Sequence, residues 1–284
     1  MRQKQKTGND ISLISSKENA NRFSGLRIVF AGAGNVATHL SAAMQNVGNA
    51  VIQVYSRTEE SAQTLANRLQ TEWTTDLKKI APDADLYVFS LKDDVLAETV
   101  VRVRPNNALW IHTAGSIPMD VFERHVERCG VLYPLQTFSW KREVDFSRIP
   151  CFVEARLPAD ELLLCGLAGQ ISGSVQVIAS EKRKYLHLAA VYACNFTAHM
   201  YTMAAKILEQ QNISWKVLLP LIDETAAKIH LLTPVQAQTG PAVRNDRRVM
   251  NMHEDLLADA DMKRIYQLIS NHIYKESMHE QYQL

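Results

Sequence analysis

The residues with the clearest chemical meaning form a glycine-rich run near the start of the chain. Residues 31–37 (AGAGNVA) fit the pattern G-x-G-x-x-A, follow a short apolar run and open a helical pattern. This order of strand, glycine turn and helix is the context that dinucleotide binding requires. Gly32 permits a tight turn, and Gly34 lacks a Cβ, so a pyrophosphate can approach the main chain. The helix start at Asn35 and Val36 presents free N–H groups to the phosphates. The plainer alternative is a glycine turn without a ligand.

The end of the second predicted strand indicates which dinucleotide would bind. An NAD site usually has an acidic residue there, which holds the ribose 2′-hydroxyl. This chain has Ser56, Arg57 and Thr58 instead. A guanidinium group and two hydroxyl groups suit a 2′-phosphate, which a carboxylate would repel. The sequence therefore favours NADP over NAD, unless Arg57 is only a solvated residue at a helix start.

Polar residues also stand at the ends of two further predicted strands. Ser90 and Lys92 stand at the end of the third strand, and Thr113 follows the fourth. Because the carboxyl ends of parallel strands line one crevice, we expect these side chains near the nicotinamide. The alternative is that they cap helices. The same loops add Asp93, His112, Gly115 and Ser116.

The elements that must position these residues change character along the chain. The predicted strands are 26–30, 50–55, 86–91, 109–112, 130–135, 151–155 and 174–179. Helical patterns alternate with them, including 94–101 and 119–128, which predicts a mostly parallel sheet covered on both faces. Three helical runs follow, at 181–211, 214–232 and 259–273. We therefore predict a disordered tail (1–24), a doubly wound Rossmann domain (25–180) and an all-α domain (181–284).

Composition limits the classes of partner. The 284 residues carry a formal net charge of +1, and the body from residue 25 onwards is slightly acidic at −2. A chain without a basic footprint is not expected to bind nucleic acid or an anionic membrane. No apolar run approaches the roughly 20 residues of a spanning helix. Four separated cysteines without a Cys-x-x-Cys pair are consistent with a reducing cytoplasm, and no histidine spacing indicates a metal site.

The motifs also carry a family resemblance. The glycine-rich run and the strand end at 54–58 (VYSRT) resemble the NADP-binding half of pyrroline-5-carboxylate reductase, ketopantoate reductase and the deazaflavin-dependent NADP reductases. A narrower family is similar over four runs: 112–116 (HTAGS), 133–139 (YPLQTFS), 185–196 (YLHLAAVYACNF) and 237–246 (AQTGPAVRND). These are Rossmann-like proteins with a C-terminal helical domain of unknown function, grouped with 6-phosphogluconate dehydrogenase. The resemblance implies a helical dimerisation domain like that of 6-phosphogluconate dehydrogenase and an oxidoreductase activity. It leaves the substrate undefined, because this fold hosts many reactions.

The family pattern is matched in the second half by His187, Asn195, Thr239, Gly240, Pro241, Arg244, Asp246 and His253. His187 and Asn195 lie eight residues apart, so they point about 80° apart around one helix. His187 could exchange a proton with a substrate that Asn195 orients. Both could equally pack against a partner subunit or in the core. Tyr133 stands where the family has histidine, and the Lys-x-x-x-Asn pair of β-hydroxyacid dehydrogenases is absent.

The segment after residue 238 could hold an anionic group. Thr239, Gly240 and Pro241 predict a turn into a helix, and Arg244 in its first turns could bind a carboxylate or phosphate. Asp246 could instead pair with Arg244.

Together these features predict an NADP-dependent oxidoreductase. It would act on a small carbonyl, imine or hydroxy compound in a cleft between the two domains, with His187, Asn195 and Arg244 polarising or holding the substrate. The resemblance also implies a homodimer through the helical domain. The alternative is a non-catalytic dinucleotide sensor, and a third interpretation is a reductase that works with a deazaflavin or flavin.

Overall fold

The computed structural model describes residues 23–281, without the side chains of residues 279–281. The chain forms two compact units, which divide between Cys194 and Asn195. The predicted disordered tail lies outside the described residues except for its last two. Of these, Phe23 is buried against Gly166. The predicted domain boundary at residue 180 marks the start of the helical run, whereas the compact units divide further along the chain.

The first unit is organised around one eight-stranded sheet. Its strands are β1 Arg27–Ala31, β2 Ala50–Tyr55, β3 Glu72–Thr74, β4 Leu86–Phe89, β5 Leu109–His112, β6 Cys129–Pro134, β7 Cys151–Ala155 and β8 Val175–Val177. They are ordered β3-β2-β1-β4-β5-β6-β7-β8, and every neighbouring pair is parallel except β6 with β7. The first six strands have the order of doubly wound dinucleotide-binding folds, which confirms the predicted fold class. Short β3 was not predicted.

Strand β1 shows how the sheet is covered on both faces. Its side chains alternate, so Ile28 and Phe30 join one apolar cluster while Val29 and Ala31 join another. The sheet therefore buries both faces, and the continuous apolar runs that predicted the strands follow from this.

Five α-helices belong to the described part of the first unit: α1 Asn35–Asn46, α2 Glu59–Leu69, α3 Asp93–Arg102, α4 Pro158–Ile171 and α5 Ser180–Ala190. The predicted helix at 119–128 is wrong, because this segment forms only a 3-10 turn, Met119–Phe122. Phe122 and Val126 are buried in the second apolar cluster, so tertiary packing overrides the local helical pattern.

The described residues of the second unit form helices joined by turns and loops, without a strand. It contains α6 Thr197–Glu209, α7 Leu219–Lys228, α8 Pro234–Ala237, α9 Arg247–Leu256 and α10 Ala260–Gln281. A π-helical turn, Val191–Phe196, lies between α5 and α6. No helix in the described part of the chain is long and apolar enough to cross a membrane.

Candidate functional site

The glycine turn after β1 fits closely against the end of β4. Gly32 has a φ of +121°, and its N–H donates to the carbonyl of Tyr55 at 2.8 Å. A Cβ on this residue would lie 2.0 Å from the carbonyl oxygen of Ser90. The turn therefore requires glycine for its conformation and for its approach to the neighbouring strand end.

The start of α1 is open to a ligand. Gly34 occupies the N-cap position without a side-chain cap, and a Cβ built there would meet no described heavy atom within 4 Å. The first N–H groups of the helix have no intrahelical partner. Asn35 uses its side-chain oxygen to accept the N–H of Trp140 at 3.2 Å. Its backbone N–H, like that of Val36, is the group that suits a phosphate.

The end of β2 carries the residues that are predicted to bind the 2′-phosphate. Arg57 is exposed and has no ion pair within the described residues. Thr58 donates to Ser61 at 2.8 Å, and the N–H of Ser56 donates to Thr74 at 3.2 Å. The Arg57 guanidinium is thus free to bind an anion beside the glycine turn.

Two of the predicted hydroxyl residues contact each other at the ends of β4 and β5. Thr113 donates to the Ser90 hydroxyl at 3.2 Å, and both side chains are buried. Lys92 is exposed at the start of α3 without capping it. Beside it, the hydroxyl of Ser116 donates to Asp93. The loops after β1, β4 and β5 therefore form one continuous edge.

His187 lies at the same edge of the sheet. Its Nδ1 is 3.0 Å from the hydroxyl oxygen of Tyr133, near the end of β6. A Cβ on Gly115, after β5, would lie 2.6 Å from the same nitrogen. His187, predicted from the family pattern, is thus placed beside the strand ends that carry Ser90 and Thr113.

Tyr133 is a site residue that the sequence identified only as a departure from the family pattern. Its side chain is 8 % exposed. Burial raises the pKa of the Tyr133 phenol, and the nearby charge of Arg183 lowers that pKa in part. The phenol is therefore neutral at physiological pH. Its place at a strand end was the available signal, but its contact with His187 joins residues 54 positions apart.

A buried ion pair fixes the start of α5. Arg183 is 1 % exposed, pairs with Glu154 of β7 and donates to the Ile117 carbonyl at 2.6 Å. Ser180 donates to the same carboxylate at 2.6 Å. Because His187 follows Arg183 by one helical turn, this network sets the position of the imidazole. Arg183 and Glu154 were not predicted from the sequence, because they are far apart in the chain.

His112 lies below this edge as the last residue of β5. It is fully buried, and its Nδ1 accepts the N–H of Ala114 at 3.2 Å. Its Nε2 has no hydrogen-bond partner among the described atoms. Burial, reinforced by the charge of Arg183, lowers the pKa of His112 to about 3. The ring is neutral at physiological pH and carries its proton on Nε2.

Three predicted residues of the helical unit remain exposed or bound to their own backbone. Asn195 is exposed in the π-helical turn, and Arg244 is exposed in the turn before α9. Asp246 is the N-cap of α9 and accepts the N–H of Val249 at 3.2 Å. No ion pair between Arg244 and Asp246 occurs in the described structure, so the alternative pairing is not seen.

The other predicted residues of this unit meet at a cavity of about 540 Å³. Thr239, Pro241 and His253 contribute to its walls, and Gly240 takes a φ of +111° in the turn between the first two. Nδ1 of His253 is 2.9 Å from the hydroxyl of Tyr266. The remaining walls are largely apolar side chains of α6, α9 and α10.

Other reactive side chains in the described structure form no second centre. No group of three or more His, Cys, Asp or Glu could hold a metal ion among residues 23–281. The four cysteines are free, and burial raises the pKa of Cys151 to about 11, so that its thiol stays protonated.

The strand order and the glycine turn define a Rossmann-type dinucleotide-binding protein. Residues 27–111 match the family described as NADP oxidoreductase, coenzyme F420-dependent, and residues 149–273 match a domain of unknown function, DUF2520. A Bacteroides fragilis protein described as a "putative NADP oxidoreductase" is 50% identical with a TM-score of 0.84, over 89% of this chain and 99% of that one. The chain belongs to this NADP oxidoreductase family, and the predicted cofactor NADP is confirmed.

More distant solved structures share the fold. The 1-pyrroline-5-carboxylate reductase of Streptococcus pyogenes has a TM-score of 0.60 at 10% identity, over 89% of this chain and 98% of that one. An imine reductase of Myxococcus stipitatus, in complex with NADP+, has a TM-score of 0.63 at 14% identity, over 89% and 93%. No curated protein matches the chain.

Proposed function

We propose that the protein is an enzyme that transfers a hydride between NADP and a small carbonyl, imine or hydroxy compound. The observation that carries this proposal is the continuous edge formed by the ends of β1, β4, β5 and β6. Along it, Gly32 lies too close to the Ser90 carbonyl to admit a Cβ, and Ser90 is hydrogen-bonded to Thr113. His187 lies against Gly115 and Tyr133.

The α/β unit has residues suited to each part of NADP, from the 2′-phosphate through the pyrophosphate to the nicotinamide. Arg57 at the end of β2 would hold the 2′-phosphate, and the open start of α1 at Gly34 would hold the pyrophosphate. When bound, NADP supplies the nicotinamide that carries the hydride. Ser90 and Thr113 would then face its nicotinamide end.

His187 would serve the substrate. A carbonyl oxygen or imine nitrogen needs a hydrogen-bond or proton donor as the neighbouring carbon accepts a hydride. Imidazole is the side chain most often used for this task. His187 has the required chemistry at the required edge of the sheet. Asn195, Arg244 and the residues around Thr239 remain proposed substrate contacts.

The test is a turnover assay with NADPH, followed at the nicotinamide absorbance. The panel contains carbonyl and imine compounds, because two proteins of the same fold are named for reducing imines or a pyrroline. We expect oxidation of NADPH by at least one compound. We also expect that His187→Gln lowers kcat by about 10²–10⁴-fold while NADPH still binds.

His125→Gln is the matched control, because His125 precedes the start of β6, at the opposite edge of the sheet from its carboxyl end. It should retain full turnover. Tight binding of NADPH without oxidation across the whole panel would contradict the proposal and favour a dinucleotide sensor.

A further inference from the structure

We infer that Tyr133 is a positioning residue that holds the neutral His187 ring in one tautomer, with the hydrogen on Nε2. The catalytic meaning of this inference rests on the proposed function, whereas the tautomer itself does not. It would make His187 a hydrogen-bond donor through Nε2, the group that a carbonyl oxygen or imine nitrogen requires.

The hydrogen bond between the two side chains has a preferred direction. Tyr133 is buried, and burial raises the pKa of its phenol, so the hydroxyl keeps its hydrogen. Within the described residues, the hydroxyl has one hydrogen-bond partner, Nδ1 of His187 at 3.0 Å. If Nδ1 carried the hydrogen, it would donate to the phenol oxygen and leave the buried O–H without an acceptor in the protein. A buried donor without a partner is unfavourable, so the O–H donates to Nδ1.

The backbone of Gly115 holds the ring in this orientation. A Cβ built there would lie 2.6 Å from Nδ1, 2.7 Å from Cγ and 2.9 Å from Cβ of His187. The Nδ1 side of the imidazole therefore faces Gly115 and Tyr133. The tyrosine ring meets the imidazole edge-on, with centroids 6.0 Å apart and an interplanar angle of 73°. Nε2 is the nitrogen for which the described structure supplies no hydrogen bond.

The consequence is a fixed donor. In the neutral ring Nε2 carries the only hydrogen, and in the imidazolium both nitrogens carry one. His187 therefore presents an N–H through Nε2 in either protonation state. A neutral histidine held as a donor can polarise a carbonyl group without being charged.

The ring nitrogens can be observed by ¹⁵N NMR of the full-length protein labelled at histidine. The spectra are recorded in the alkaline range, and in a neutral imidazole the ¹⁵N shifts separate a protonated from an unprotonated nitrogen. The His187 signals are those lost in His187→Gln. We expect Nδ1 unprotonated and Nε2 protonated. A hydrogen on Nδ1 in the wild-type protein would overturn the inference, whether or not Tyr133→Phe folds.

Tyr133→Phe removes the hydroxyl and should give a mixture of both tautomers at His187. A single Nε2–H tautomer that survives this substitution would also overturn the inference. Tyr266→Phe is the matched control, because Tyr266 bonds to Nδ1 of His253 in the same way. It should change the His253 signals and leave those of His187 in place.

Activity then separates this inference from the proposed function. If the protein turns over a substrate, Tyr133→Phe should lower kcat about tenfold and leave the Kd for NADPH unchanged. The expected tautomer in a protein without turnover would contradict the proposed function alone. Full turnover with the hydrogen on Nδ1 would contradict this inference alone.

Discussion

The two compact units treat their apolar side chains in different ways. The α/β unit buries two large apolar clusters, one on each face of its sheet. Among the described residues of the helical unit, the buried apolar side chains are Ala242 and Met250. Leu231 and Leu256 of that unit are 86% and 75% exposed. The α/β unit therefore has an extensive buried core that can hold a site in place, while the described helical unit leaves much of its apolar surface exposed.

The same contrast is visible in two tyrosine–histidine pairs. Tyr133 with His187 and Tyr266 with His253 have nearly equal bond lengths, 3.0 and 2.9 Å, and both pairs of rings meet edge-on. The first pair lies at the ends of β5 and β6, on the sheet edge that also carries the glycine turn, with the imidazole against Gly115. The second lines an apolar cavity. The hydrogen bond and the ring geometry are nearly the same in both pairs. The residues around each pair therefore decide which histidine could assist the proposed hydride transfer.

The largest expected effect is the loss of stability when the buried ion pair of the α/β unit is broken. Arg183→Met leaves the Glu154 carboxylate without its charged partner, which should lower the free energy of unfolding by about 3–5 kcal/mol. Denaturant unfolding measures this value. Arg264→Met is the control in the helical unit, since its ion pair with Asp261 is exposed and should contribute little. Equal stability losses for the two variants would contradict the claim that the buried ion pair stabilises the fold more than the exposed one.

The next prediction separates the role of Gly32 in the fold of the turn from the role of Gly34 in binding the cofactor. Gly32→Ala places a Cβ 2.0 Å from the Ser90 carbonyl oxygen at a strained φ, so the turn must move. We expect a lower melting temperature and a loss of NADPH affinity above a hundredfold, about 2.7 kcal/mol. In Gly34→Ala the added Cβ meets no described atom, so the melting temperature should stay the same. The Cβ would lie where the pyrophosphate approaches the main chain, so NADPH binding should weaken. Wild-type NADPH affinity in Gly32→Ala would contradict this account.

The elements that could be predicted from the sequence are those whose pattern is local. The strands around the glycine turn could be predicted because a parallel sheet buried on both faces requires continuous apolar runs. Gly32 could be identified from the local G-x-G-x-x-A pattern, and the structure shows that its conformation and its contacts both exclude a side chain. The helix at 119–128 was wrong for the opposite reason. Its local pattern is helical, but burial of Phe122 and Val126 decides the backbone.

The chemistry at the sheet edge was only partly accessible from the sequence. His187 was predicted from a family pattern, whereas its bond to Tyr133 joins β6 to α5. The same holds for Arg183, which reaches Glu154 of β7. Such contacts depend on the strand order, which no local spacing contains. Asp246 shows a further limit, since a carboxylate near a turn can cap its own helix.

A third prediction concerns the exposed apolar surface of the helical unit. We propose that a second copy of the chain covers it, so sedimentation velocity should give a particle of twice 32.0 kDa. Leu231→Glu should shift the protein toward a monomer, because burial of one leucine contributes about 2 kcal/mol. Leu162→Glu, at an exposed position of the α/β unit, should remain a dimer. A monomeric wild-type protein would contradict the proposal.

The smallest expected effect concerns the choice of cofactor at the end of β2. Arg57 is exposed and unpaired within residues 23–281, so Arg57→Asp should not disturb the fold. A carboxylate repels the 2′-phosphate and suits the 2′-hydroxyl of NADH. We therefore expect the Kd for NADPH to rise at least tenfold, about 1.4 kcal/mol, and the Kd for NADH to change little. Arg68→Asp makes the same charge change in the last turn of α2 and should leave both constants unaltered. Equal losses for NADPH and NADH in Arg57→Asp would show that this arginine does not read the 2′-phosphate.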